Sequence, residues 1–211
     1  MNEYQNLINI RNHLYNQFPV DTPFFFITIN LPYSLKTHDL YCFIGIMGYM
    51  LGKFEKRLLG GTESWINHPY MFYAFCENQF NTNTWHIHLL APLINPITNT
   101  QLSLSFVDWC LNGANNKLKR HYKRNKGADY DIQLVPYNKL PTLIKYCTKE
   151  LYFAGTLHTD RIYTPATIFY KRLKHKRNRT RLSKLTRKMR TLEDLIQILS
   201  RKYTIQHNKH K

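Results

Sequence analysis

The apolar residues change period several times along the chain, and each change marks a different element. The first twenty residues read as a short polar helix, with Leu7, Ile8, Leu14 and Tyr15 as its contacts. Pro23 opens Phe24-Phe25-Phe26-Ile27-Thr28-Ile29, a β-rich run ended by Asn30 and Pro32. From Thr37 to Leu59 the apolar residues recur at helical spacing, with Thr37 as N-cap and Gly60-Gly61 as the stop. Tyr70 to Cys76 and Thr84 to Ala91 read as two strands, and the polar segment Asn78 to Asn83 between them is short enough for a hairpin. Ser105 to Lys126 reads as a helix, apolar early and basic late, and Asp131 to Val135 as a fourth strand. Pro136 to Tyr152 predicts a helix with Leu140, Leu143, Ile144, Cys147 and Leu151 along one stripe. A final amphipathic helix is expected near Leu192 to Tyr203.

Strands mixed with helices and joined by a hairpin predict an α+β fold: a central antiparallel sheet of about four to five strands flanked by helices, with a basic helical C-terminal extension. The expected division is 1–155 for the domain and 156–211 for the extension. A length of 211 residues suits one domain with an appendage, and 43% hydrophobic residues suffice for a core. The four cysteines form no C-x-x-C pair, and three sit in apolar runs, as buried thiols do in a reducing compartment. The N-terminus shows no signal-peptide pattern, and the uncharged run Leu40 to Leu51 is too short to cross a bilayer. The expectation is a cytoplasmic or host-cell intracellular protein, neither secreted nor membrane-bound.

Charge narrows the function. The net charge is +17, and it is polarised: residues 171–190 carry 11 of the 30 Lys and Arg, and residues 117–126 carry 6 more. No acid lies between Arg161 and Leu192. Such polarity attracts a polyanion, most commonly nucleic acid, and the basic runs show no apolar face suited to lipid. Lys119, Arg120, Lys123, Arg124, Lys145, Lys171, Arg172, Lys174, Lys176 and Arg177 are the candidate phosphate contacts. Trp85, Trp109, Tyr122 and Tyr130 are candidates for stacking on bases, although most aromatic residues in such a chain belong to the core.

The sharpest chemical signal is Trp85-His86-Ile87-His88-Leu89-Leu90. Residues two apart on a strand share a face, so His86 and His88 project together and can grip one divalent cation. An isolated His-x-His is as readily two polar residues on a wet face. Glu77 strengthens the metal reading: a turn between Asn81 and Thr82 pairs residue 77 with residue 86, placing a carboxylate beside the imidazoles. Gln79 would serve if the turn fell elsewhere. The second signal is Lys145-Tyr146-Cys147-Thr148-Lys149, where Tyr146 and Lys149 share a helix face. A phenol of ordinary pKa about 10 attacks phosphorus only when a metal polarises the phosphate and a cation stabilises developing charge.

In order and spacing, Thr28-Ile29-Asn30, His86-Ile87-His88 and Tyr146-Cys147-Thr148-Lys149 resemble the HUH endonucleases, over roughly residues 23 to 153. The resemblance implies a single-tyrosine enzyme of the rolling-circle replication initiator type. His86, His88 and Glu77 would hold Mg²⁺ or Mn²⁺, Tyr146 would become joined to a 5′ phosphate, and Lys149 would assist. It further implies single-stranded DNA, including origin hairpins, as substrate, and host replication proteins as partners. A single-strand transposase or recombinase shares the same chemistry, and a non-catalytic nucleic-acid binder is the alternative of a different class. A two-histidine phosphoesterase would need paired His-x-Ser/Thr motifs, and His158-Thr159 has no convincing match. The chain contains no Walker-type loop.

Overall fold

A computed structural model describes residues 3–36, 39–60, 72–79, 84–95, 98–153, 156–158 and 161–163. The expected helix near Leu192 to Tyr203 and the basic residues Lys171, Arg172, Lys174, Lys176 and Arg177 lie outside these, as do Thr37 and the Asn81-Thr82 turn. The elements are α1 (Glu3–Asn16), β1 (Phe24–Asn30), α2 (Leu40–Leu58), β2 (Tyr73–Gln79), β3 (Thr84–Pro92), α3 (Leu104–His121), β4 (Asp129–Val135), α4 (Leu140–Cys147), and the two-residue strands β5 (Tyr152–Phe153), β6 (Thr156–Leu157) and β7 (Ile162–Tyr163). This is the α+β arrangement expected. The antiparallel sheet has the order β4-β1-β3-β2-β7.

Strand alternation divides the sheet into two faces. Ile27, Ile29, Ile87, Leu89, Ala74 and Cys76 point to one side, where they form the main core with Phe43, Met47, Met50 and Phe54 of α2 and Val107, Leu111, Ala114 and Leu118 of α3. Phe24, Tyr73, Phe75 and Leu90 point to the other, where α1 and α4 contribute Leu7, Ile10, Leu14, Leu140 and Ile144. This second layer is smaller. It covers one end of its face and leaves His86 and His88 near the other.

Local chemistry explains the helix ends. Asp39, not Thr37, is the N-cap of α2: its Oδ1 accepts from the Cys42 amide at 2.6 Å, so the helix starts two residues later than an N-cap at Thr37 implies. Gly60 closes α2 with φ +73°, a conformation that costs glycine nothing. Ser103 caps α3 through the Phe106 amide at 3.2 Å, and α3 ends at His121, short of the expected Lys126. Asn115 explains how the chain reverses there: its side chain bonds both the N–H and the C=O of Ala128 at 2.8 Å, tying α3 to the start of β4.

Two expectations need correction. The long helix over Pro136 to Tyr152 is only α4, preceded by a 3₁₀ turn at Tyr137–Lys139. Thr148 ends it by donating its hydroxyl to Ile144 O at 2.7 Å, which leaves Lys149 in the following turn rather than on the helix. The division at residue 155 also falls too early. β6 pairs with β5, and β7 joins the sheet through Ala74↔Tyr163 and Phe75↔Ile162, so the compact unit runs from Met1 to Phe169. Among the described residues no helix is long and apolar enough to cross a membrane.

Candidate metal and tyrosine site

The site grows out of the β2–β3 hairpin register. Glu77 pairs with His86 and Phe75 with His88, as the turn length implied, and β1 supplies Asn30 opposite His86 and Thr28 opposite His88. All of these side chains share the face covered by α1 and α4. Gln79 lies two pairs nearer the turn, opposite Thr84, and Glu77 takes the position beside the imidazoles. The two histidine rings are perpendicular, with centroids 4.7 Å apart, so their Nε2 atoms converge to 3.0 Å. Glu77 Oε2 stands 3.1 Å from His88 Nε2 and 3.6 Å from His86 Nε2. Both imidazoles are buried, at 7% and 4% exposure.

These donors fit one cation. Two ligand atoms about 2.1 Å from one ion are about 3.0 Å apart at a right angle and about 3.6 Å at a trigonal one, and the observed separations of 3.0, 3.1 and 3.6 Å fall in that range. Among the described residues Glu77, His86 and His88 form the one cluster of three or more metal-binding side chains, with donor atoms within 4.8 Å of one another. Two imidazoles and one carboxylate suit Mn²⁺ better than Mg²⁺, which prefers oxygen.

Thr28 holds His88, a contact its position at the end of an apolar run does not advertise. Its Oγ1 is hydrogen-bonded to His88 Nδ1 at 3.0 Å, while Phe26 stacks on the same ring at 5.3 Å. With a cation bound, Nδ1–H donating to Thr28 would leave the Nε2 lone pair free toward the cluster. His86 Nδ1, by contrast, is buried with no hydrogen-bond partner among the described residues. Thr28→Val keeps the shape and removes the hydroxyl. Mn²⁺ affinity, measured by calorimetry, is expected to fall roughly 10- to 100-fold. Unchanged affinity would deny Thr28 that role.

Tyr146 and Lys149 arrive from α4 and its terminal turn. The Tyr146 ring meets His88 edge to face at 5.3 Å and is 41% exposed, so a phosphate in solution can reach it. Lys149 Nζ lies 2.6 Å from Glu77 Oε1 and 4.2 Å from the centre of the Tyr146 ring. It therefore bridges the carboxylate and the phenol. Arg11 of α1 secures this corner, its Nε donating to Thr148 Oγ1 at 2.8 Å. Cys147 beside Tyr146 faces the core, and burial, reinforced by the Glu77 charge, pushes its thiol far above the ordinary range. A buried thiol kept protonated in this way is a poor nucleophile.

Burial alone would raise the Glu77 pKa, yet hydrogen bonds from His86, His88 and Lys149 outweigh it and hold the carboxyl well below its ordinary 4.5. Burial tends to lower Lys149, but the Glu77 pair raises it above its ordinary 10.5. A depressed carboxylate contributes stability above its unfolded pKa and loses it as pH falls; a raised ammonium contributes below its own and loses it as pH rises. The pair thus stabilises the fold across the window between 4.5 and 10.5. In denaturant titrations without added metal, the wild type is expected to lose more stability between pH 6 and pH 3 than Glu77→Gln. Parallel losses would mean that Glu77 is not the group being titrated.

Of the basic candidates, Lys145 lies exposed on α4 next to Tyr146. Lys119 and Arg120 belong to the end of α3 and Lys123 and Arg124 to the turn beyond it, in the layer behind the sheet, so they do not join the cluster. Trp85 also faces that layer and is buried at 8% exposure, with the Arg161 guanidinium 5.2 Å from its ring centre. Tyr130 donates to Asp108 at 3.1 Å, and burial together with that bond raises its pKa to about 12. In comparisons with protein-family models, curated proteins and solved structures, nothing matches this chain.

Proposed function

We propose that the protein nicks and rejoins single-stranded DNA, using Tyr146 as nucleophile and a divalent cation held by Glu77, His86 and His88. The supporting observation is the meeting of these groups. Three metal donors stand within 4.8 Å of one another, an exposed phenol touches one of them, and one lysine contacts both sides. Residues 28, 77–88 and 146–149 are distant in sequence, and a merely solvated histidine pair would need none of this convergence. A net charge of +17 suits a polyanionic substrate.

A bound cation would withdraw charge from the non-bridging phosphate oxygens and make phosphorus electrophilic. The remaining work belongs to the chain. Tyr146 Oη attacks the phosphorus, the Oη–P bond forms as the P–O3′ bond breaks, the phenolic proton passes to solvent and the departing 3′ oxygen takes one up. Lys149, kept protonated by Glu77, stabilises the negative charge growing on the phenol. Reversal by a 3′ hydroxyl rejoins the strand, because the phosphotyrosine conserves the bond. Initiation of rolling-circle replication is the role this chemistry serves best: it leaves a free 3′ end for a polymerase and retains the 5′ end. Single-strand transposition uses the same step.

The test is a covalent adduct. Full-length protein is incubated with Mn²⁺ and single-stranded oligonucleotides, including hairpins, labelled at either end. A 3′-end label is expected to become attached to protein on a denaturing gel, and a 5′-end label to appear in a shorter, polymerase-extendable strand. Cleavage without adduct, or an adduct formed equally well in chelator, would overturn the mechanism.

A further inference from the structure

A second feature lies on the outer surface of the α2–α3 layer, behind the sheet from the histidines. It is a groove of about 350 Å³ lined by Arg57, Trp109, Asn112, Asn116, Lys117 and Arg120, with Gly113 at its floor. That volume falls in the range of ligand clefts, about 300–1,000 Å³. Trp109 is 56% exposed, unusual for so large an apolar ring on a monomer surface. The Arg57 guanidinium stacks on it at 3.9 Å, and the Phe106 ring is stacked near-parallel to it with centroids 5.9 Å apart, leaving the rest of the indole in solvent. No carboxylate among the described residues pairs with Arg57, and its Nε is buried without a hydrogen-bond partner. Gly113 makes the stack possible, since a Cβ there would overlap the guanidinium itself.

We infer that this groove binds single-stranded nucleic acid, with a base stacked on Trp109 and backbone phosphates on Arg57, Lys117 and Arg120. The inference rests on the reading of the protein as a single-strand enzyme and adds a holding site remote from the cutting site. The chemistry favours a nucleic-acid strand over an acidic polypeptide. An exposed indole backed by a guanidinium is a platform for a flat π-system, which a peptide carboxylate lacks. The lining supplies three cations, two amides and no acid, which matches a phosphate backbone carrying bases with polar edges. The Arg57–Trp109 stack stands open to solvent with no carboxylate partner among the described residues, a surface that phosphates and bases would cover. A strand anchored there would remain attached while its cut end is passed between partners at Tyr146.

Binding is measured by anisotropy of a labelled oligo(dT) 20-mer, in chelator, with full-length protein carrying Tyr146→Phe so that no cutting intervenes. Trp109→Ala is expected to weaken single-strand binding about 5- to 150-fold, the worth of one stacked base, with little effect on a duplex of equal length. Trp109→Phe is expected to restore most of the affinity. Gly113→Ala, which evicts Arg57 without changing any charge, is expected to weaken single strands in the same direction, with thermal melts confirming that each variant folds. Unchanged affinity in both Trp109→Ala and Gly113→Ala would overturn the inference. So would equal losses for duplex and single strand, or displacement by poly-glutamate as effective per charge as by oligo(dT). The adduct assay on the wild type is independent: no effect of Trp109→Ala and Gly113→Ala together with a normal adduct sinks this site alone, and the expected Trp109 effect without an adduct sinks the nuclease reading alone.

Discussion

Tyr146→Phe is expected to eliminate the covalent protein–DNA adduct and reduce strand cleavage by on the order of 10⁴- to 10⁶-fold, the scale on which loss of a nucleophile is felt. The substitution removes one oxygen and leaves the ring, so the edge-to-face contact with His88 at 5.3 Å and the Lys149 contact persist. Metal binding and single-strand binding should therefore be preserved. That combination separates a lost nucleophile from a lost site. Burial puts Cys147 out of use, and no other tyrosine is placed against the histidine pair among the described residues. An adduct that persists in Tyr146→Phe and maps to another residue would remove the chemistry assigned here.

The second large effect is expected from His86→Ala combined with His88→Ala. Two of three donors disappear, and the withdrawal of charge from phosphate, worth several kcal/mol, is lost with them, on the order of 10³-fold or more in rate. Calorimetry should show no Mn²⁺ binding. The fold should survive, since both imidazoles lie on the site face and outside the main apolar core on the opposite side. Lys149 keeps its contact with Glu77, so the lysine does not drift from Tyr146. Metal-dependent cleavage by this variant would show that the ion binds elsewhere.

Much of this site could be read in advance because it follows from counting along a hairpin. Period-two alternation put His86 and His88 together, and the length of the turn set Glu77 opposite His86. Thr28 was harder. It reaches His88 through β1–β3 pairing, which joins strands 60 residues apart and has no local signature. The helix ends escaped for another reason: apolar periodicity reports which face is buried, not where side chains such as Asp39 or Thr148 capture the backbone. β7 is two residues long and carries no periodicity to detect. Arg57 and Gly113, 56 positions apart, meet only through the packing of α2 on α3.

β4 ends the sheet at the side away from the hairpin, and among the described residues no strand pairs with its outer backbone. Asp129, Asp131 and Gln133 alternate along it, all exposed. An open rim of amides ordinarily invites a second chain to add a strand and begin aggregation. In a self-pairing centred on Asp131, that carboxylate would face its own copy, with Asp129 opposite Gln133. Carboxylates on an edge strand disfavour that kind of pairing, so replacing Asp129 and Asp131 by apolar residues would be expected to make this rim more prone to strand addition.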